Sequence, residues 1–487
     1  MKTFKIKKLK FREKERRIFT DMENKFLMTH MSDLAKISRN ERREMARNFI
    51  DGEIERKNIS ILDIDMEKAI NYLSGYGILD TLLEYDEIEE IFINGWETSV
   101  MIWHRKFGKC VTNIKFESKE DLMALINKII VFCGSKKGSA IIDEILPEGP
   151  RINITLPPVS FNKPLITIRK YLRELPTVIE LIKNGTLPLD MAALLWVCVD
   201  GFDIAPRNML ITGGTSSGKT TLLNSLLPFA REHERIVSIE DTLELDLHYC
   251  KDWCRTTTSE FADMEKLVEN SLRLRPDRVI VGEVRGSEAF NLINAMNLGH
   301  TGMGTIHADS ARDALLKLSA PPMNVDPEML VILDLIVVVS RFHEKNTSTR
   351  KVTHIAEVGS IMDGKIQLGS VCKYNPKTKK TEFHRFPAVT ITKISESVGM
   401  EPREIINEIR RREGILEYML MKNICKEKDV LGVIRSYYRN PEGVWAKVKK
   451  GLKHMEHRRH YPERYSEGSN RNIDEHELKM RIESNKT

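Results

Sequence analysis

The chain reads as an α/β protein with a larger parallel-sheet domain, a smaller N-terminal α/β domain and a helical C-terminal tail. Three observations predict this. Between residue 191 and about residue 340, short apolar strands alternate with helical patterns, the sign of a parallel sheet with crossover helices. Residues 61–170 carry a separate set of short strands around one amphipathic helix. From Pro402 onward the apolar residues recur at helical spacing: Ile405, Ile406 and Ile409 face one way, and Ile415 to Met421 is apolar.

The bulk properties fit that division. A chain of 487 residues exceeds one ordinary core, since domains hold roughly 100–200 residues. Hydrophobic residues make up 41% and charged residues 30%, a globular composition with long charged stretches. The net charge of +6 is small for this length, so the basic excess is local. That argues against a protein built to coat nucleic acid. Seven cysteines are scattered without a second CxxC pair or a nearby HxxxH, which predicts reduced thiols in a reducing compartment. The start, MKTFKIKKLKFREKERR, lacks the apolar stretch of a secretory signal. The run Met329 to Val339 is interrupted by Asp334 and falls far short of a membrane span. A cytoplasmic chain is expected, with membrane contact peripheral or through a partner.

Taken in order, residues 1–60 are polar and dense in charge. Lys2 to Arg17 holds nine Lys or Arg against two Glu. It reads as a solvated helix, a contact for a membrane or anionic partner, or a nucleic-acid arm. In residues 61–170, Ile91-Phe92-Ile93 runs into Asn94-Gly95 as a strand entering a turn, and Val100 to Trp103 is the next strand. Apolar residues at 122, 125, 126, 129 and 130 mark a helix. Arg151 to Leu156 alternates until Pro157-Pro158, and Leu165 to Arg169 is another strand. Residues 171–190, with Pro176, Gly185 and Pro188, read as a linker. Residues 191–395 form the second domain; its part from 341 is a strand-rich extension with a turn at Asp363-Gly364. Residues 396–487 are helical and then highly charged.

One segment carries explicit chemistry. Asn208 to Thr212 is a short strand. It enters Gly213-Gly214-Thr215-Ser216-Ser217-Gly218-Lys219-Thr220, with Thr221 next, and Leu222, Leu223, Leu226 and Leu227 then make one helix face. This is G-x-x-x-x-G-K-T in the strand–loop–helix setting that a phosphate-binding loop requires. Glycines let backbone N–H groups curl around phosphate oxygens, and the helix N-terminus adds positive potential. Lys219 is expected to reach the β and γ phosphates of ATP, and the Thr220 hydroxyl to bind Mg²⁺.

Two further strands end in acids. Arg235 to Asp241 closes on Glu240-Asp241, and Arg278 to Glu283 closes on Glu283. Strand C-termini in such a sheet point to the ligand crevice. One acid is expected to serve Mg²⁺, with Asp241 and Glu283 as the candidates, and another to orient or deprotonate the attacking water, with Glu240 and Glu283 as the candidates. His307 closes Gly302-Met303-Gly304-Thr305-Ile306-His307, where it has the chemistry to donate to a phosphate. Asp309-Ser310 reads as a cap for the helix beginning near Ala311.

These segments, in this order, resemble the secretion-superfamily ATPases of type II and type IV secretion, tight-adherence pili, type IV pili and archaella. The matching stretches are GGTSSGKTT (Walker A), SIEDTLEL (Asp box), RPDRVIVGEVRG (Walker B) and GMGTIHADS (His box). Upstream, IEEIFINGWETSVMIWHRKFGK, EGPRINITLPPVS and LITIRKY look like that family's N-terminal domain. The resemblance spans roughly residues 80–345. It implies a RecA-like P-loop domain, a PAS-like N-terminal domain, and Arg151 and Arg169 as further phosphate contacts. It also implies a hexameric ring acting on a multi-span membrane platform protein. The chain lacks the paired-CxxC insert of many type II members and is longer at its C-terminus than the conjugation-type members. EPREIINEIRRREGILEYMLMKNICKEKDVLGVIRSYYRNPEGV looks like the C-terminal region of archaeal members, which favours an archaellum or adhesive-pilus motor. Ser216-Ser217 stands where many members have Gly-Ser; no loss of binding is expected.

The implied activity is Mg²⁺-dependent ATP hydrolysis driving inter-domain motion, with no direct nucleic-acid contact. Three rivals are weighed at this level, and one of them, a small-molecule P-loop kinase, has no evident acceptor-site motif here. A nucleic-acid-translocating ring would use Lys2 to Arg17, but little aromatic residue is interleaved there beyond Phe4, Phe11 and Phe19. A non-catalytic ATP-binding regulator would bind nucleotide without turnover, which the full set of acids and arginines disfavours.

Overall fold

The computed structural model describes residues 2–6, 13–57, 65–135, 138–170, 175–259, 261–344 and 347–459. These divide into two compact units, 1–174 with 343–348, and 175–342 with 349–487. No helix among the described residues is long and apolar enough to cross a membrane.

The first unit opens with β1 (Lys2–Phe4), α1 (Glu13–Thr29), α2 (Arg39–Lys57), α3 (Met66–Ser74) and α4 (Ile78–Glu84). Then come β2 (Ile88–Asn94), β3 (Ser99–His104), β4 (Gly108–Lys115), α5 (Lys119–Cys133), β5 (Ile141–Ile145), β6 (Arg151–Thr155) and β7 (Leu165–Arg169). The strands form a sheet in the order β1-β4-β3-β2-β7-β6-β5. All its pairings are antiparallel except β1 with β4. Alternation sets the inward face: Ile152 and Ile154 of β6 and Ile166 and Ile168 of β7 are fully covered, while their neighbours are not. Ser118 caps α5, and its Leu122, Ile126 and Ile129 pack in the same core.

Residues 13–57 correct one expectation. They are not a separate solvated segment, because Phe19, Met22 and Phe26 of α1 and Ala46, Ile50 and Ile54 of α2 are buried in that same core. The apolar stripe is narrow and diluted by charge, which hid it in the sequence. Part of the charge is itself buried: the Arg42 guanidinium sits 4.2 Å from the Phe132 ring and pairs with Glu148, and Lys128 pairs with Glu23. Of the basic run, residues 7–12 lie outside the described residues, and Lys2 belongs to a strand paired with β4.

The second unit begins with α6 (Val178–Lys183) and α7 (Leu189–Asp200), so the expected linker contains one short helix and the start of another. Thr177 closes a full capping box on α6, a signal outweighed in the sequence by the surrounding Pro and Gly. Next come β8 (Met209–Thr212), α8 (Lys219–Leu226), β9 (Ile236–Glu240), β10 (Trp253–Thr257), α9 (Met264–Arg273), β11 (Arg278–Val284), α10 (Glu288–Asn297), β12 (Thr301–Ile306) and α11 (Ala311–Ser319). The unit ends with β13 (Leu335–Glu344), β14 (Thr347–Met362), β15 (Lys365–Asn375), β16 (Lys380–Phe383), α12 (Ala388–Val398), α13 (Pro402–Met421), α14 (Glu427–Arg439) and α15 (Pro441–Arg459). The strand order is β10-β9-β11-β12-β8-β13-β14-β15-β16. From β10 to β13 neighbouring strands run parallel. The pairings of β15 with β14 and β16 are antiparallel, with Asp363-Gly364 turning β14 into β15 in left-handed backbone. This is the α/β fold that the strand–helix alternation predicts.

The C-terminal helices belong to this unit's core. Every residue of α7 from Met191 to Asp200 is buried, and α13 covers it. Trp196 stacks on Phe229 at 4.9 Å and donates its indole N–H to Tyr438 Oη at 2.7 Å. Beneath it, Arg412 of α13 is paired with Asp200 at 2.6 Å and Glu408 at 2.9 Å. The expected boundary near residue 396 is therefore not a domain boundary. Residues 460–487 lie outside the described residues.

Candidate functional site

The phosphate loop joins the buried strand β8 to α8, and close packing dictates its residue types. A side chain at Gly213 would put its Cβ 2.2 Å from the Val339 carbonyl oxygen of β13, so only glycine fits. Gly218 adopts φ +96°, left-handed backbone that glycine takes freely. Between them Ser216 holds φ +56°. An L-residue in that region costs roughly 1–2 kcal/mol. The resemblance's Gly-to-Ser departure thus leaves the loop its curl, at the expense of local strain. The Ser217 hydroxyl is buried and has no hydrogen-bond partner among the described residues. Thr215 is exposed at the loop's outer edge.

Gly218 gives the N-terminus of α8 no side-chain cap, and its first turn holds no acid, so the helix's positive end is uncompensated. Thr220 and Thr221 stand in that turn, half-buried. Lys219 is 9% exposed; its Nζ donates to the carbonyls of Gly213 at 3.1 Å and Gly214 at 3.3 Å. Burial pulls the Lys219 ammonium below the usual lysine range, although nearby Glu283 opposes this.

Glu283, from β11, places Oε1 3.5 Å from Lys219 Nζ. Its Oε2 accepts from Arg285 Nε at 3.0 Å, and Arg285 Nη1 also donates to Asp241 at 2.8 Å. The four groups make one chain of alternating charge: Lys219, Glu283, Arg285, Asp241. Burial alone would raise the Glu283 carboxyl, but Arg285 and Lys219 together hold it below its ordinary value. Glu283 is therefore ionised and only partly covered, the state a general base requires.

Glu240 is a different group. It is 1% exposed, and its Oε2 accepts from the backbone N–H of Glu244 at 2.6 Å and of Leu245 at 2.7 Å. Its Oε1 faces Arg255 Nε at 3.4 Å. Burial pushes its carboxyl up, against those hydrogen bonds. The geometry is that of a bracket holding the loop after β9.

His307 is exposed at the end of β12. Its backbone carbonyl accepts from Lys317, and the Ala308 carbonyl accepts from Thr212 Oγ1 at 2.6 Å, which ties this segment to the end of β8. With Asp309, Asp313, Leu316 and Lys317, His307 lines a small cleft of about 300 Å³. Ser310 caps α11, accepting from the Asp313 N–H at 3.1 Å. Asp309, which the sequence reading gave to structure, comes close to the phosphate loop: a Cβ at Gly214 would lie 3.8 Å from its Oδ1.

Arg151 and Arg169 belong to the first unit, where they are direct cross-strand partners on β6 and β7. Arg151 grips Asp143 with two hydrogen bonds, 3.0 and 2.7 Å. Glu90 is the partner of Arg169 on its other side, so like charges are interleaved with acids.

Two residues escaped the sequence reading. Arg285 lies inside the Walker B stretch but had no assigned task; its spacing two residues after Glu283 was the available signal. Arg350, on β14, donates Nε to the Ser216 carbonyl at 3.1 Å, and no motif marks it. At the opposite, N-terminal edge of the parallel strands lies a larger cleft of about 690 Å³. Several of its polar side chains pair with one another: Arg207 and Lys393 with Asp334, and His233 with Asp203.

The residues fit nucleotide and Mg²⁺ in part through the substrate. The glycine cradle and the unpartnered Ser217 hydroxyl suit phosphate oxygens. Among the described residues no cluster of three or more His, Cys, Asp or Glu forms a protein-only cation cage. Thr220 with Glu283 or Asp241 would instead share Mg²⁺ with phosphate oxygens, as such sites usually do. All seven cysteines are free.

Comparison with known proteins places these features in a family. The family model described as Type II/IV secretion system protein matches residues 78–435. An uncharacterized protein of Methanocaldococcus jannaschii is 40% identical over 288 residues, 57% of this chain and 39% of that protein. The chain thus spans well under half the length of that relative. A second uncharacterized protein of the same organism is 32% identical over 78% of this chain and 69% of its own length. A protein named probable conjugal transfer protein TrbB, from Sinorhizobium fredii, is 34% identical over 46% of this chain and 68% of its own length.

Proposed function

The chain belongs to the Type II/IV secretion system protein family, and on that premise we propose that it is an ATP-hydrolysing motor of a secretion, pilus or archaellum assembly machine. The observation that carries this is the convergence of Lys219 and an ionised Glu283, 3.5 Å apart, at the mouth of a glycine cradle. A nucleotide-binding loop with no nearby base would only bind; here a carboxylate stands beside the phosphate-binding lysine.

In this reading the loop amides and the N-terminus of α8 bind the phosphates of ATP, and Lys219 turns from the Gly213 and Gly214 carbonyls to the β and γ oxygens. Thr220, with Asp241 or Glu283, would hold Mg²⁺, which would supply charge neutralisation at the phosphates. Glu283 orients the attacking water and takes its proton. Asp241 keeps Arg285 in place behind Glu283. Glu240 acts by bracing the loop that carries Asp241. His307 stands at the rim as a group able to answer the γ-phosphate. Arg151 and Arg169 are proposed phosphate contacts from the N-terminal unit. A homo-hexameric ring and a multi-span membrane platform protein complete the proposal, with the chain acting at the cytoplasmic face of the membrane. The relatives from an archaeon support an archaeal machine, and the conjugal-transfer relative supports a transport task.

The test is ATP turnover by the full chain with Mg²⁺. Wild type should hydrolyse ATP, and Lys219→Ala should lose both tight binding and turnover. DNA-stimulated turnover with a steep salt dependence would instead favour a nucleic-acid motor. Binding without turnover in any oligomeric state would favour the regulator.

A further inference from the structure

We infer that Arg350 of β14 is a positioning residue of the phosphate loop, holding it curled at Ser216, where a serine adopts left-handed backbone. The inference rests on the nucleotide-binding reading of that loop. Three observations meet there. Ser216 sits at φ +56°, where a residue with a Cβ resists staying. The carbonyl of that same residue accepts from Arg350 Nε at 3.1 Å. The Arg350 stem also lies along the loop, since a Cβ at Gly218 would be 3.1 Å from its Cδ.

The loop is thereby held from two neighbouring strands. On one side the Val339 backbone of β13 abuts Gly213, a contact no side-chain change on β13 can remove. On the other, the grip on Ser216 is a single charge-assisted hydrogen bond from a side chain. Without it the loop relaxes toward right-handed backbone at Ser216, and the amides around residues 216–218 lose their common aim at a phosphate. Glycine at 216 would have no such preference and so would need no clamp. The requirement for Arg350 is therefore conditional on Ser216, a coupling that an arginine serving only general stability would not show.

The experiment is a double-mutant cycle on the full chain, read as the dissociation constant of a fluorescent ATP analogue, with thermal melting alongside. Arg350→Ala should weaken binding about tenfold, the effect of one hydrogen bond to a charged group. Arg350→Lys should behave like the alanine variant, because an ammonium does not reproduce the Nε donor. In the Ser216→Gly background the same Arg350→Ala change should cost less than threefold. Arg350→Ala binding at the wild-type level, or an equal loss in both backgrounds, would overturn the inference. Wild type that binds nucleotide but never turns it over would refute the motor reading alone, leaving the cycle to decide Arg350. Wild type that binds no nucleotide would overturn both.

Discussion

Strands β9 and β11 lie side by side, and each delivers a glutamate to the same edge of the sheet. The ends of the two strands then diverge. After Glu240 the chain turns back at once, and the amides of Glu244 and Leu245 land on its carboxylate. After Glu283 comes Arg285, whose guanidinium reaches back to the carboxylate's outer oxygen and leaves the inner one facing Lys219. One acid is buried with its pKa raised, and the other is partly open with its pKa lowered. The lesson is that residue type and strand position give two equal candidates. The two or three residues that follow decide which is free to act.

That difference can be broken from either side. The largest effect is expected at Glu283: Glu283→Gln should retain ATP binding and slow turnover by about 10²–10⁴-fold, the usual worth of a general base. Steady-state rates at saturating ATP check this. Next comes Glu240→Ala, which strands two backbone amides and should destabilise the fold by about 2–4 kcal/mol in denaturant unfolding. Turnover should fall with it, because the Asp241 loop loses its bracket. Arg285→Ala should act more gently. It removes a group that lowers Glu283, so the Glu283 pKa rises, and the acid limb of the kcat/KM profile moves to higher pH. Activity is then lost at a higher pH as the solution is acidified. A limb unmoved by this change would uncouple Arg285 from the base. Smallest is Ser216→Gly, which relieves the left-handed strain and should raise stability by up to about 1 kcal/mol, seen as a modest rise in Tm.

Much of this site was legible because its chemistry is local in sequence. The phosphate loop needs its strand, glycines, lysine and helix in one stretch, and they are where the pattern puts them. The acids end strands that the apolar runs announce. What escaped depends on long-range packing. Arg350 meets Ser216 across 134 residues, and no spacing rule connects them. Residues 13–57 differ from expectation because a few apolar residues on each helix suffice when α1, α2 and α3 pack together into a shared core, while charge dominates the composition. The C-terminal helices read correctly as helices. Their fusion with α7 joins Ile405, Ile409 and Met419 to its apolar core and buries the Arg412–Asp200 pair, contacts invisible to periodicity.

The comparison of the two strand ends has one direct test. Glu283→Gln and Glu240→Gln are prepared in parallel as full chains, and ATP affinity and turnover are measured on the same samples. Glutamine at 240 keeps an oxygen for the two loop amides, whereas glutamine at 283 cannot take a proton from water. Glu283→Gln should bind ATP within a few-fold of wild type with turnover at least about 100-fold lower, while Glu240→Gln should keep turnover within about tenfold of wild type. Wild-type turnover from both variants, or a Glu240→Gln variant slower than Glu283→Gln at equal affinity, would contradict this expectation.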